Sequence, residues 1–306
     1  MYVSGLENPG LRKKHCLLIP VFKSPRAQAE VHARYNEVLG LWPVPSTHRR
    51  IPTRQGETFV VACGAEDAPA LVLLHGSRST AAVWMMDAAA WSRSFRVYCI
   101  DLIGEAGLSA PSRPPLNTDA HALWLDDVLI GLGVSRAAFV GLSLGGWLAL
   151  DYADRRPSRV DRLVLIAPAG IGRQKYFVLK GLLRRFGGQF AVRMLRGLLY
   201  PRRTRNLAAN IQALVELKNL TDRTFLSRAD EIPILDDAAL GRLPMPVLVI
   251  TGGRDMTISS AETRRRLARA APRIVLRYLP EASHYIEGQS GFIADFLAGE
   301  NAHKFI

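Results

Sequence analysis

Three residues of the chain have the types and the order that nucleophilic catalysis needs: Ser143, Asp255 and His284. Ser143 stands within FVGLSLGGWLAL (139–150), with Gly141 and Gly145 two places away on either side and Gly146 beyond. A serine hydroxyl is a weak nucleophile. It needs a base within hydrogen-bond reach and a further group to orient that base. Gly141-Leu142-Ser143-Leu144-Gly145 is a G-x-S-x-G pattern, which predicts a sharp strand-to-helix turn with the serine at its tip. So tight a turn crowds the Cβ atoms, and only small residues fit two places before and after. The apolar AAFVGL ahead of it predicts a strand, and the apolar periodicity after it predicts a helix over 144–154.

The expected partners of such a serine follow it in the order acid, then histidine. VLVITGGRDMTIS places Asp255 in the loop after one strand, and LRYLPEASHYIEG places His284 in the loop after the next. The other histidines fit less well. His15, His32, His48 and His303 lie away from strand carboxyl ends, His121 opens a helix, and His75 ends a strand but precedes the serine. The loop after 162–167 reads APAGIG and offers no carboxylate, while Glu281 is too near His284 in sequence to reach around its ring easily. A developing oxyanion needs N–H donors. Leu144 supplies one at the positive start of its helix. The Ser77 N–H, after LVLLHGS, is expected to supply the second, with Gly76 letting the backbone turn. Asp101 reads as a turn-bonding structural residue. Trp84 is a candidate for the acyl pocket, with core packing as the alternative.

These residues must be positioned by a sheet. Short apolar runs recur at 71–75, 95–100, 137–142, 162–168, 247–251 and 274–279, with helical patterns between most of them. That alternation predicts an α/β fold with a mostly parallel sheet covered on both faces. THRRIPT and ETFVVAC around Gln55-Gly56 predict an antiparallel hairpin, making the sheet mixed and eight-stranded. RAQAEVHARYNEVLG predicts a helix over 26–40. Between 168 and 245 the rhythm breaks into helical patterns alone.

Together these residues resemble the α/β-hydrolase superfamily over roughly 45–299, most of all its bacterial carboxylesterase-like branch. The resemblance rests on His75-Gly76, the elbow at Ser143, Asp255 and His284. It rests also on the D-x-x-G…G-x-S segment Asp101-Leu102-Ile103-Gly104-Glu105-Ala106-Gly107-Leu108-Ser109, which has one residue more between its glycines than the commonest version. The resemblance implies an α/β-hydrolase fold and a helical cap inserted after the sixth strand. The expected organisation is an N-terminal extension with a helix at 1–44, a core at 45–168 and 241–306, and a basic helical cap at 169–240. Serine argues against the relatives that use an aspartate nucleophile.

Residues 170–228 hold 13 of the 40 Lys and Arg but only two of the 27 acids, Glu216 and Asp222, so this segment carries most of the +13 net charge. Within it Tyr176, Phe177, Leu179, Leu182, Leu183, Phe186 and Phe190 interleave with Lys180, Arg184 and Arg185, predicting an amphipathic basic helix. The expected role is a lid with its apolar face on the pocket; weak contact with an anionic membrane through the arginines is the sharper alternative. No nucleic-acid-binding motif is present. Cys16, Cys63 and Cys99 form neither a disulfide framework nor a zinc spacing. No run is long enough for a membrane span and the N-terminus lacks a signal peptide's order, so the expected location is the cytoplasm. The expected activity is that of a serine carboxylesterase acting on small esters or thioesters with an apolar acyl part, without metal or cofactor. The same three residues also serve C–C hydrolases, perhydrolases and lyases, and a non-catalytic ligand receptor is a further alternative. The sequence leaves the oligomeric state open.

Overall fold

The apolar runs become strands, and their side chains divide between two faces with a period of two. In the computed structural model, which describes residues 20–175 and 208–299, eight strands form one sheet. They are β1 (Ser46–Ile51), β2 (Thr58–Cys63), β3 (Ala70–Leu74), β4 (Arg96–Ile100), β5 (Ala137–Leu142), β6 (Val160–Ile166), β7 (Val247–Gly252) and β8 (Val275–Leu279). The order across the sheet is β1-β2-β4-β3-β5-β6-β7-β8. β1 pairs antiparallel with β2, and β2 with β4; every later pairing is parallel. The mixed, mostly parallel eight-stranded sheet expected from the sequence is therefore present.

Val72, Leu74, Phe139, Leu163 and Leu165 face one apolar cluster, closed by Trp124 and Trp147. Leu71, Leu73, Val140 and Val164 face the other, closed by Tyr35, Trp84 and Trp91. Each such aliphatic side chain taken out of water contributes on the order of 2 kcal/mol, which is why the run of buried strands dominates the fold. Cys63 and Cys99 are free and buried in the second cluster, while Cys16 lies outside the described residues.

Eight α-helices are described: α1 (Pro25–Leu39), α2 (Met85–Trp91), α3 (Ala120–Leu132), α4 (Leu144–Arg155), α5 (Ala209–Thr224), α6 (Asp237–Arg242), α7 (Ser260–Ala270) and α8 (Ser290–Ala298). α1 begins where Ser24 accepts from the Ala27 N–H at 3.1 Å and Pro25 occupies the first position, which needs no donor. It buries Val31, Tyr35 and Val38 in the second cluster.

In the long stretch between β6 and β7, α5 packs against α1. Phe22 and Phe225 meet edge to face at 5.5 Å, and the flanking backbones exchange Lys23 N–H to Thr224 O and Leu226 N–H to Val21 O at 2.9 and 2.8 Å. The expected basic helix around Tyr176, Lys180, Arg184 and Arg185 lies outside the described residues. Among those described, no helix is long and apolar enough to cross a membrane.

The strand order doubles back at β3, with β4 on one side and β5 on the other. Loops leaving the carboxyl ends of strands on either side of such a reversal part and leave a crevice between them, where ligands bind in open α/β sheets. The loop after β3 and the turn after β5 sit at that crevice.

Candidate active site

The chain reverses at Ser143 by placing that residue at φ 53° and ψ −107°, a conformation costly for a side-chain-bearing residue. Backbone bonds hold it there. The Ser143 N–H donates to Ile166 O at 3.0 Å, and Ser143 O accepts from Trp147 and Ala169 N–H at 3.0 and 3.1 Å. A Cβ at Gly141 would overlap the Gly145 carbonyl oxygen, and one at Gly145 would overlap the carbonyl oxygens of Leu74 and His75. The predicted crowding is real, and its partner is the end of β3. Gly145→Ala is expected to destabilise the protein by about 3 kcal/mol, because the clash is with immobile backbone. A urea unfolding midpoint equal to that of the parent protein would refute this.

Asp255 and His284 arrive on the loops after β7 and β8. These loops are stitched together, with Gly253 N–H donating to Leu279 O at 2.8 Å and Arg254 N–H to Ala282 O at 2.9 Å. The Asp255 carboxylate is buried, and Oδ1 accepts the Thr257 and Ile258 N–H groups at 2.6 and 2.9 Å. Oδ2 is thereby aimed at His284 Nδ1, 2.8 Å away, and His284 Nε2 stands 3.0 Å from Ser143 Oγ. Glu281, weighed as an alternative acid, is mostly exposed and pairs with Arg254. Lys175, from the basic segment, donates its Nζ to the Asp255 carbonyl at 2.8 Å, a contact that sequence pattern gave no means to foresee.

A cavity of about 1040 Å³ opens over Ser143. Leu142, Leu217, Phe225, Ile258 and Ile293 contribute to an apolar wall, and Ser77, Leu144 and His284 line the cavity together with Ser143. Trp84 lines this cavity and is also buried in the second apolar cluster. The Ser77 and Leu144 N–H groups donate to no acceptor among the described residues, the latter being in the first turn of α4.

The loop carrying Ser77 is tied to the segment that follows β4. His75 is fully buried, and desolvation lowers its pKa to about 4, so it is neutral at pH 7. Its Nδ1 lies 2.8 Å from Gly76 O and its Nε2 accepts the Leu102 N–H at 3.0 Å, which fixes the tautomer as Nδ1–H. Asp101 accepts from Ala81 N–H, Leu108 N–H and the Tyr35 hydroxyl at 2.7, 2.8 and 3.0 Å. Glu105, in the same segment, accepts the Arg78 N–H at 2.6 Å. Glu105 falls within the D-x-x-G…G-x-S segment, whose pattern by itself gives this residue no role; the one sequence signal there is the segment's additional residue.

Burial raises the Asp101 carboxyl to about 6 and Glu105 to about 7, in both cases against hydrogen bonds and arginine charges that pull the other way. A folded-state pKa above the unfolded value means that the folded chain holds the proton more tightly. The resulting stability is fully present below pH 4 and is lost as pH rises through about 6 and about 7. The denaturation midpoint is therefore expected to fall between pH 5 and pH 8, and to fall less in Glu105→Gln. An equal slope in that variant would contradict the assignment.

The model of the alpha/beta hydrolase family matches residues 71–296. Carboxylesterase YbfK of Bacillus subtilis is 30% identical over 274 residues, spanning 87% of this chain and 90% of its own. The solved structure of that esterase superposes with a TM-score of 0.74 at 28% identity, covering 90% of this chain and all of the other. The naproxen esterase, carboxylesterase NP, of the same bacterium matches with a TM-score of 0.74 at 26% identity, over 90% of this chain and 99% of the other.

Proposed function

On the premise that the chain belongs to the alpha/beta hydrolase family, we propose that it is a serine hydrolase cleaving small carboxylic esters or thioesters through an acyl-enzyme. The observation that carries this reading is the unbroken hydrogen-bond sequence Ser143 Oγ, His284 Nε2, His284 Nδ1, Asp255 Oδ2 at the mouth of an apolar cavity. Asp255 holds the proton of the neutral imidazole on Nδ1, leaving Nε2 free to take the Ser143 proton. The serine oxygen attacks the substrate carbonyl. The Ser77 and Leu144 N–H groups receive the negative charge that develops on the carbonyl oxygen. His284 returns the proton to the departing alcohol or thiol, and water releases the acid by the same steps.

The apolar wall supports a substrate with an apolar acyl or alcohol part, since excluding water there adds about 25 cal/mol per Å² of covered surface. In this reading residues 169–240, of which 176–207 lie outside the described residues, are the cap segment over the cavity. Their described part supports that placement, because Ile211, Leu214, Leu217 and Thr221 of α5 line it. The experiment is hydrolysis of p-nitrophenyl esters of rising acyl length, with Ser143→Ala as the blank. Turnover present in the parent protein and lost in the blank is expected, with an optimum length set by the cavity. A folded parent protein that turns over none of the series would overturn the esterase assignment.

A further inference from the structure

We propose that Glu105 is the positioning residue of the loop that presents the Ser77 N–H to the reaction, a role that rests on the hydrolase reading above. Glu105 is 3% exposed, and its carboxylate Oε2 accepts the Arg78 N–H at 2.6 Å and lies 3.5 Å from the Ser77 hydroxyl. Both side-chain hydrogen bonds described for it go to this one loop. Its other oxygen, Oε1, is buried without a hydrogen-bond partner among the described residues. Burying a carboxylate carries a desolvation cost that an apolar side chain would avoid. Here the direct return on that cost is the conformation of residues 77 and 78.

That conformation needs holding. Arg78 has φ 57°, in the left-handed region that a residue with a Cβ enters at a cost of roughly 1–2 kcal/mol. Turning Arg78 over points its N–H down to Glu105, while the preceding amide, that of Ser77, finds no acceptor among the described residues. Consecutive amides are thus divided between a buried carboxylate and the cavity. Without the carboxylate the Arg78 N–H loses the acceptor that holds it here, and the loop relaxes toward an ordinary φ, carrying the Ser77 N–H with it.

Glu105 is itself fixed. Gly104 sits at φ 69°, where a side chain would strike Ser112 and Arg113. The Gly104 N–H donates to Ala110 O, and Gly104 O accepts from Arg113 Nε, each at 2.9 Å. The charges facing the carboxylate are the guanidinium groups of Arg78, Arg113 and Arg228. Asp222 stands 3.8 Å from Arg78, and Asp230 lies 3.2 Å from Arg228.

The test compares Glu105→Ala, Glu105→Asp and Glu105→Gln with the parent protein in hydrolysis of the best p-nitrophenyl ester. An aryl boronic acid, which forms a tetrahedral adduct on a reactive serine, gives the second readout. Misplacing a reacting or stabilising group by an ångström costs about 10²-fold, so Glu105→Ala is expected to lower kcat by about that factor with KM within about twofold. Boronate affinity falls in parallel, because the lost contact is made to the tetrahedral species. Glu105→Gln keeps an acceptor for the Arg78 N–H but loses the charge, and is expected to lose only about threefold, in line with a charge-assisted bond being about twice as strong as a neutral one. Glu105→Asp withdraws the carboxylate by one methylene and falls between them.

A folded Glu105→Ala protein that retains kcat and boronate affinity would overturn the proposal. So would a rise in KM at constant kcat. If Glu105→Ala does not fold, unchanged kcat in Glu105→Asp overturns it equally. Inactivity of the parent protein itself removes the hydrolase reading and this proposal with it; loss of activity in Ser143→Ala together with full activity in the Glu105 variants removes this proposal alone.

Discussion

Ser143→Ala is expected to lower kcat by about 10⁶-fold while the protein keeps its fold, because members of a nucleophile–base–acid unit act together and removing the nucleophile forfeits nearly all they contribute. The substitution is clean at this position. Alanine keeps the Cβ around which the turn is packed and adds no bulk. The bonds that hold the turn, Ser143 N–H to Ile166 O and Ala169 N–H to Ser143 O, are made by the backbone and survive. The residue stays at φ 53° at no greater cost than serine. The lost hydroxyl leaves His284 Nε2 facing a cavity open to water. The melting temperature should therefore stay within a few degrees of the parent. Steady-state and single-turnover hydrolysis of one p-nitrophenyl ester check the prediction. Turnover in Ser143→Ala above about one percent of the parent value would remove Ser143 from the reaction.

Asp255→Asn is expected to lower kcat by about 10⁴-fold with little change in KM, through the tautomer of a different residue. Oδ1 of Asp255 is held by the Thr257 and Ile258 N–H groups. Asparagine must turn its carbonyl oxygen to those two donors, since its amide nitrogen accepts nothing. The amide NH₂ then faces His284 Nδ1. The imidazole answers by moving its proton to Nε2, the nitrogen that faces Ser143. Nε2 then donates toward the serine and no longer takes its proton. The binding cavity is untouched, so KM stays near its parent value. A reduction of tenfold or less would mean that Asp255 has no part in setting the tautomer.

Much of the architecture is legible in the sequence. Residues 137–142, 162–168 and 247–251 read as buried strands because each is a continuous apolar run of the right length, and the structure forms β5, β6 and β7 there. Helix α4 follows Ser143 as expected because the apolar spacing is helical from Leu144 onward. The serine stood out because two glycines flanked it at fixed distance, and their reason is local sterics. Asp255 and His284 stood out because each follows a strand, and parallel strands send their following loops to one edge. The fold brings these three within hydrogen-bond contact of one another.

Glu105 could not be found in this way. It lies 27 positions from Arg78, and its hydrogen bond to that residue exists only because the loops after β3 and β4 leave neighbouring strands together. The same holds for Tyr35, whose hydroxyl reaches Asp101 from a helix far upstream, and for Lys175 on the Asp255 carbonyl. By itself the sequence determined where strands and helices form and which serine sits on a strained turn, because those depend on side-chain period and on clashes between near neighbours. Only the tertiary structure decided which buried carboxylate holds which loop, and what walls the cavity. Those depend on packing between segments distant in the chain, where hydrogen-bond partners are chosen by position in space.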